Sequence, residues 1–121
     1  YIGRLFAGLE AHAGRYVAIT GVHPAEGVIG TVVRDRLTGE ERSSMSRALP
    51  GMFYGTGDIF ASAFAALLVR GADIGGALGA AAALVRESIE RSCLRGTPRP
   101  YGVDFEGALP EYVKRVEKIF S

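Results

Sequence analysis

Apolar positions recur at helical spacing from the first residues: Ile2, Leu5, Phe6, Leu9 and Ala13 mark one face of a helix over residues 2–13, with Gly14 as its stop. The period then changes. Tyr16-Val17-Ala18-Ile19-Thr20 is a short β-rich run without polar alternation, ended by Gly21, as in a strand covered on both faces. A helix feeding such a strand predicts a parallel α/β sheet. His23-Pro24-Ala25-Glu26-Gly27 has the composition of a turn. Val28-Ile29-Gly30-Thr31-Val32-Val33 and Glu41-Arg42-Ser43-Ser44-Met45 then read as two strands, joined by residues in which Gly39 supplies the positive φ of a hairpin loop. Residues 47–54, with Pro50-Gly51 inside, form the loop that follows this antiparallel hairpin.

The second half of the chain has the helical period. Residues 58–69 are apolar on every side and close at Gly71, which predicts a central helix packed within the domain. Asp73 can cap a second helix in which Ile74, Leu78, Ala81, Ala82, Val85 and Ile89 form one stripe. Arg86, Glu87, Glu90 and Arg91 form its wet face, with Glu87 and Arg91 at i,i+4 spacing. Pro98 and Pro100 make residues 96–102 a loop. A last helix, from Leu109 or Pro110 to Phe120, turns Leu109, Tyr112, Val113, Val116 and Phe120 inward, with Pro110 in its first turn. No internal repeat, low-complexity linker or second domain breaks this order, so residues 1–121 read as a single α/β unit.

Composition narrows the partners. With 48% apolar and 22% charged residues the chain can bury a core, and a net charge of +1 without a basic run interleaved with aromatics argues against nucleic acid. The longest apolar run, residues 59–69, falls short of the roughly 20 residues a bilayer span needs, so no membrane partner is expected. Cys93, the single cysteine, cannot form an internal disulfide and reads as a buried small hydrophobe. With no leader pattern ahead of the first strand, a reducing cytoplasm is the expected location. His12 and His23 lack paired spacing with other ligands, so no side-chain metal site is expected. Tyr1 stands in what reads as the middle of a helix, and a fragment of a longer protein is expected.

The chemistry concentrates in Tyr54-Gly55-Thr56-Gly57-Asp58-Ile59-Phe60, a glycine-rich turn that runs directly into an apolar helix. Gly55 and Gly57 leave backbone amides unobstructed, and the first N–H groups of a helix lack intrahelical acceptors, a combination that suits a phosphate. Asp58 adds an acceptor-only carboxylate. The residues alone leave two readings open: a phosphate-binding terminus, or a plain helix start at which Asp58 bonds the amides of its own first turn. Residues 71–79 are rich in glycine but lack the Gly-x-x-x-x-Gly-Lys-Ser/Thr pattern, and their reading is close helix packing.

Gly55-Thr56-Gly57-Asp58-Ile59-Phe60-Ala61-Ser62, reached from Tyr16-Val17-Ala18-Ile19-Thr20-Gly21 through a hairpin, resembles the C-terminal part of a ribokinase-like kinase. Thr56 between the glycines is more similar to the pyridoxal kinase branch than to the sugar kinases, which usually have alanine there. Related hydroxymethylpyrimidine kinases typically place cysteine where this chain has Asp58.

The resemblance implies the C-terminal part of a three-layer αβα sandwich. It further implies ATP and Mg²⁺ as cofactors and the primary alcohol of pyridoxal, pyridoxamine or pyridoxine as substrate. By the same resemblance Asp58 is the general base. Gly55, Thr56 and Gly57 supply the anion hole, Thr20 and Gly21 approach the ATP phosphates, and Phe60 walls the adenine. The family is commonly dimeric and carries an Asn-x-x-Glu motif and most of its substrate pocket ahead of this stretch. The chain alone is therefore expected not to phosphorylate pyridoxal efficiently. A kinase for a sugar or hydroxymethylpyrimidine, and a non-catalytic nucleotide-binding module, are the alternative readings.

Overall fold

The computed structural model describes residues 1–10, 14–49, 53, 55–95 and 102–121, the side chain of Glu10 excepted. His12, Tyr54 and the prolines at 50, 98 and 100 lie outside them, as do the expected proline loop and the start of the glycine turn. In chain order the elements are α1 (Ile2–Glu10), β1 (Tyr16–Val22), β2 (Val28–Asp35), β3 (Glu41–Arg47), α2 (Thr56–Val69), α3 (Ile74–Arg95) and α4 (Leu109–Ile119). A 3₁₀ turn at Glu106–Ala108 leads into α4.

The three strands form an antiparallel meander in the order β1-β2-β3. The hairpin is where the sequence places it, with Gly39 at φ 78°. The parallel pairing expected for β1 is not found: Tyr16 pairs with Asp35 and Ile19 with Val32, antiparallel to β2. β1 is an edge strand of this sheet, and its continuous apolar run is only partly covered, with Val17 buried and Ala18 exposed. A run this short does not encode the direction of its neighbour, and the five-residue turn at 23–27 lets the chain fold straight back.

Helices cover both faces of the sheet. On one side Phe6 of α1, fully buried, packs with Val17 and Val32, and Arg34 lies over the Phe6 ring at 4.1 Å. On the other side Val33 joins the main core of Phe60, Phe64, Leu67, Ile74, Leu78, Ala81 and Leu84. α2 buries one stripe, Phe60, Ala63, Phe64 and Leu67, while Ala61, Ala65 and Val69 are exposed. The expectation of a helix packed on every side is corrected to a helix buried on one.

Asp73 caps α3 as expected, its Oδ1 accepting from the Gly76 amide at 2.7 Å. Glu87, however, pairs across the helix interface with Arg115 of α4 at 2.6 Å rather than with Arg91. Arg91 and Arg95 instead flank Asp104. On α4 the residues packed on the core are Tyr112, Val116 and Ile119, whereas Leu109, Val113 and Phe120, expected on the inner side, are exposed. Cys93, expected to be buried, is exposed. Among the described residues no helix is long and apolar enough to cross a membrane.

Candidate active site

The glycine turn is built as a helix N-terminus. Gly55 is the residue before α2, with φ 84° and ψ 2°, a left-handed conformation in which a side chain would be strained. Its carbonyl accepts from the Ile59 amide at 3.0 Å, the first bond of the helix. The amides of Thr56, Gly57 and Asp58 therefore precede any intrahelical acceptor. Among the described residues, a Cβ placed on Gly55 or Gly57 would meet nothing within 4 Å. No hydrogen bond or ion pair joins the Asp58 carboxylate to another described residue, and Asp58 is exposed. The plain capping role for Asp58 is thus not what the described residues display.

Thr20 and Gly21 arrive at the same place through a distortion of β1. The register with β2 slips between Ile19 and Val22, and Gly21 stands at φ 67°. Such a bulge re-aims the backbone at the end of a strand. Thr20, Gly21, Thr56, Gly57 and Phe60 all line one cavity of about 200 Å³. Ile29, Thr31, Ser44 and Ser46 of the hairpin close it on the sheet side, and Ala82, Val85, Arg86 and Ile89 on the α3 side. Phe60 is 5% exposed, its ring stacked on Phe64 with centroids 5.3 Å apart, so it gives the cavity little more than an edge.

Asp58 is not in this cavity. It lines a separate, apolar hollow with Ile59, Ser62, Ala63, Phe105, Leu109 and Tyr112. Successive residues of one helical turn thus serve two hollows: Thr56 and Gly57 the first, Asp58 the second. Tyr112 is held there by its hydroxyl, which donates to the Ala63 carbonyl at 3.1 Å, and burial raises its pKa.

The α3 wall was legible only in part. Ala82, Val85 and Ile89 stand in the apolar stripe, but nothing local to them says that they face a cavity rather than core. Arg86 borders that stripe by one position, and helical spacing alone places it on the wet face. That adjacency of a cation to the apolar line was the available signal. No group of three His, Cys, Asp or Glu side chains placed to hold a metal ion occurs among the described residues.

No family model and no curated protein sequence matches the chain. Solved structures do. The pyridoxal kinase of Lactobacillus plantarum matches with a TM-score of 0.77 and 25% identity, over 94% of this chain and 41% of that one. A Bacteroides thetaiotaomicron protein assigned as a phosphomethylpyrimidine kinase matches with a TM-score of 0.78 and 22% identity, over 88% of this chain and 36% of its own. Its orthorhombic crystal form, which contains pyridoxal, matches with a TM-score of 0.72 and 20% identity, over 99% of this chain and 40% of its own.

The fold is that of part of a ribokinase-like kinase. This chain spans about two-fifths of the length of the kinases it matches. In this chain the glycine turn leads from the antiparallel meander into α2 and the helices that follow.

Proposed function

We propose that this chain is the nucleotide-binding and catalytic C-terminal portion of a kinase that transfers the γ-phosphoryl group of ATP to the primary alcohol of pyridoxal or another B6 vitamer. The observation that carries the reading is the division of labour at the start of α2. Thr56 and Gly57 line a cavity between sheet and α3, while Asp58, the next residue, lines the hollow on the other flank. A donor in the first and an acceptor alcohol in the second would meet at the amides between them.

Phosphoryl transfer asks mainly for alignment and for neutralisation of charge on the equatorial oxygens. The amides of Gly55, Thr56 and Gly57 suit the second task. The Asp58 carboxylate, without a described partner, suits removal of the alcohol's proton. Thr20 and Gly21, brought to the cavity by the β1 bulge, would approach the remaining phosphates. Phe60 would touch the nucleotide only by its edge. Mg²⁺ would be carried by nucleotide phosphates and water, and it would supply further neutralisation there. Such a kinase would act in the cytoplasm, commonly as a dimer.

The acceptor could instead be a hydroxymethylpyrimidine; one matched protein is assigned as a phosphomethylpyrimidine kinase. Incubating the full-length protein with ATP and pyridoxal, hydroxymethylpyrimidine or ribose separates the readings. Formation of ADP and a phosphomonoester with pyridoxal at the highest kcat/KM is the expected result. Preference for the pyrimidine or the sugar would move the assignment to that branch, and nucleotide binding without transfer to any alcohol would reduce the site to a binding module.

A further inference from the structure

The cavity beside Thr56 continues into a second hollow of about 330 Å³, lined by His23, Arg47, Ala48, Phe53 and Arg86 among others. Ile29, Ser46, Thr56, Arg86 and Ile89 line both, so the two form one groove along α3 and the hairpin. Its described charged walls are of one sign: Arg86 faces both hollows, Arg47 faces the second, and no Asp or Glu lines either. A groove whose low-dielectric walls carry charge of one sign draws ions of the other.

Arg86 is also held less closely than four other arginines of the chain. Arg15, Arg34, Arg42 and Arg115 contact carboxylates at 2.6 to 2.9 Å. The Arg86 contact with Glu90, one turn along α3, is 3.9 Å between half-exposed side chains, a geometry worth little in water. The guanidinium can therefore turn toward the groove at small cost, and its planar fork matches phosphate oxygens.

We propose that Arg86, together with Arg47, forms a side-chain anion site that holds the nucleotide's polyphosphate from α3 and β3, distinct from the amides of α2. The site rests on the kinase reading. The α2 amides serve the transferred phosphoryl group, and the two arginines take the charge on the phosphates that leave with ADP.

The test is calorimetric binding of ADP and of adenosine to the full-length protein and to its Arg86→Gln, Arg86→Lys and Arg47→Gln variants, at low and high salt. Loss of one charge-assisted contact predicts that Arg86→Gln weakens ADP binding about tenfold or more. Adenosine binding should be unchanged, Arg86→Lys should retain part of the affinity, and the salt dependence should flatten. Arg47→Gln should show a smaller loss of the same kind. Equal losses for ADP and adenosine would overturn the site, because they report packing or base contact. Unchanged ADP binding in Arg86→Gln would overturn it while leaving the kinase reading intact. A wild-type protein that binds neither ligand would remove both.

Discussion

Gly55 and Asp35 show how differently single residues announce themselves. Gly55 was legible because its requirement is local: a Gly-Thr-Gly tripeptide before an apolar run, realised as φ 84° ahead of α2. Replacing it with alanine forces an L side chain into the left-handed region at a cost of about 1–2 kcal/mol. Gly55→Ala should lower the unfolding free energy by that order in denaturant titrations and weaken nucleotide binding, because the amides it aims would shift. Asp35 gave no such sign. Its buried carboxylate accepts two bonds from Arg15 at 3.0 and 2.9 Å, a contact twenty positions distant that no local pattern encodes.

Hydrogen bonding to Arg15 lowers the Asp35 pKa to about 2. A carboxylate whose folded pKa lies below its unfolded value stabilises the fold fully above the unfolded pKa, about 3.9, and loses that contribution as pH falls toward the folded value. Melting temperature should therefore decline between about pH 4 and about pH 2, and Asp35→Asn should shrink that decline.

At the scale of elements, the hairpin and the helices were readable because period and punctuation agree: Asp73 caps α3 and Gly39 turns β2 into β3. Pairing was not. Nothing within Tyr16-Val17-Ala18-Ile19-Thr20 states that it runs antiparallel to β2, nor that Thr20 and Gly21 sit on a bulge. The same limit applies to the partners of α4. Tyr112 leans on α2, its hydroxyl donating to the Ala63 carbonyl, and Arg115 clasps Glu87 of α3, which displaces the i,i+4 pair suggested by spacing.

Two substitutions test this packing. Tyr112→Phe leaves the Ala63 carbonyl without that donor and should cost about 1 kcal/mol. Phe64→Ala removes a buried ring stacked on Phe60 and should cost about 3–5 kcal/mol, read from denaturant midpoints at constant m value.

For the whole molecule, the meander and helices act as a frame that brings a strand-end bulge, a hairpin and a helix N-terminus to one groove. The glycine turn is marked in the sequence by its composition, whereas Thr20 and Gly21 were pointed to by the resemblance and their bulge is visible only in the fold. It did not show that Asp58 lines a different hollow from Thr56 and Gly57, since that depends on how α4 and Phe105 pack beside α2. The groove along α3 was hidden for the same reason: its walls come from residues 20 to 89 and meet only in the folded chain.

The placement of Asp58 beside, rather than within, the proposed nucleotide groove is tested most directly by Asp58→Asn in the full-length protein. Turnover with ATP and pyridoxal would be followed by phosphorus NMR, alongside ATP affinity measured by calorimetry. Loss of a general base predicts turnover reduced by about 10²–10⁴-fold with ATP binding and thermal stability close to wild type. Near-normal turnover, or a loss of ATP affinity that accounts for the loss of rate, would contradict the assignment.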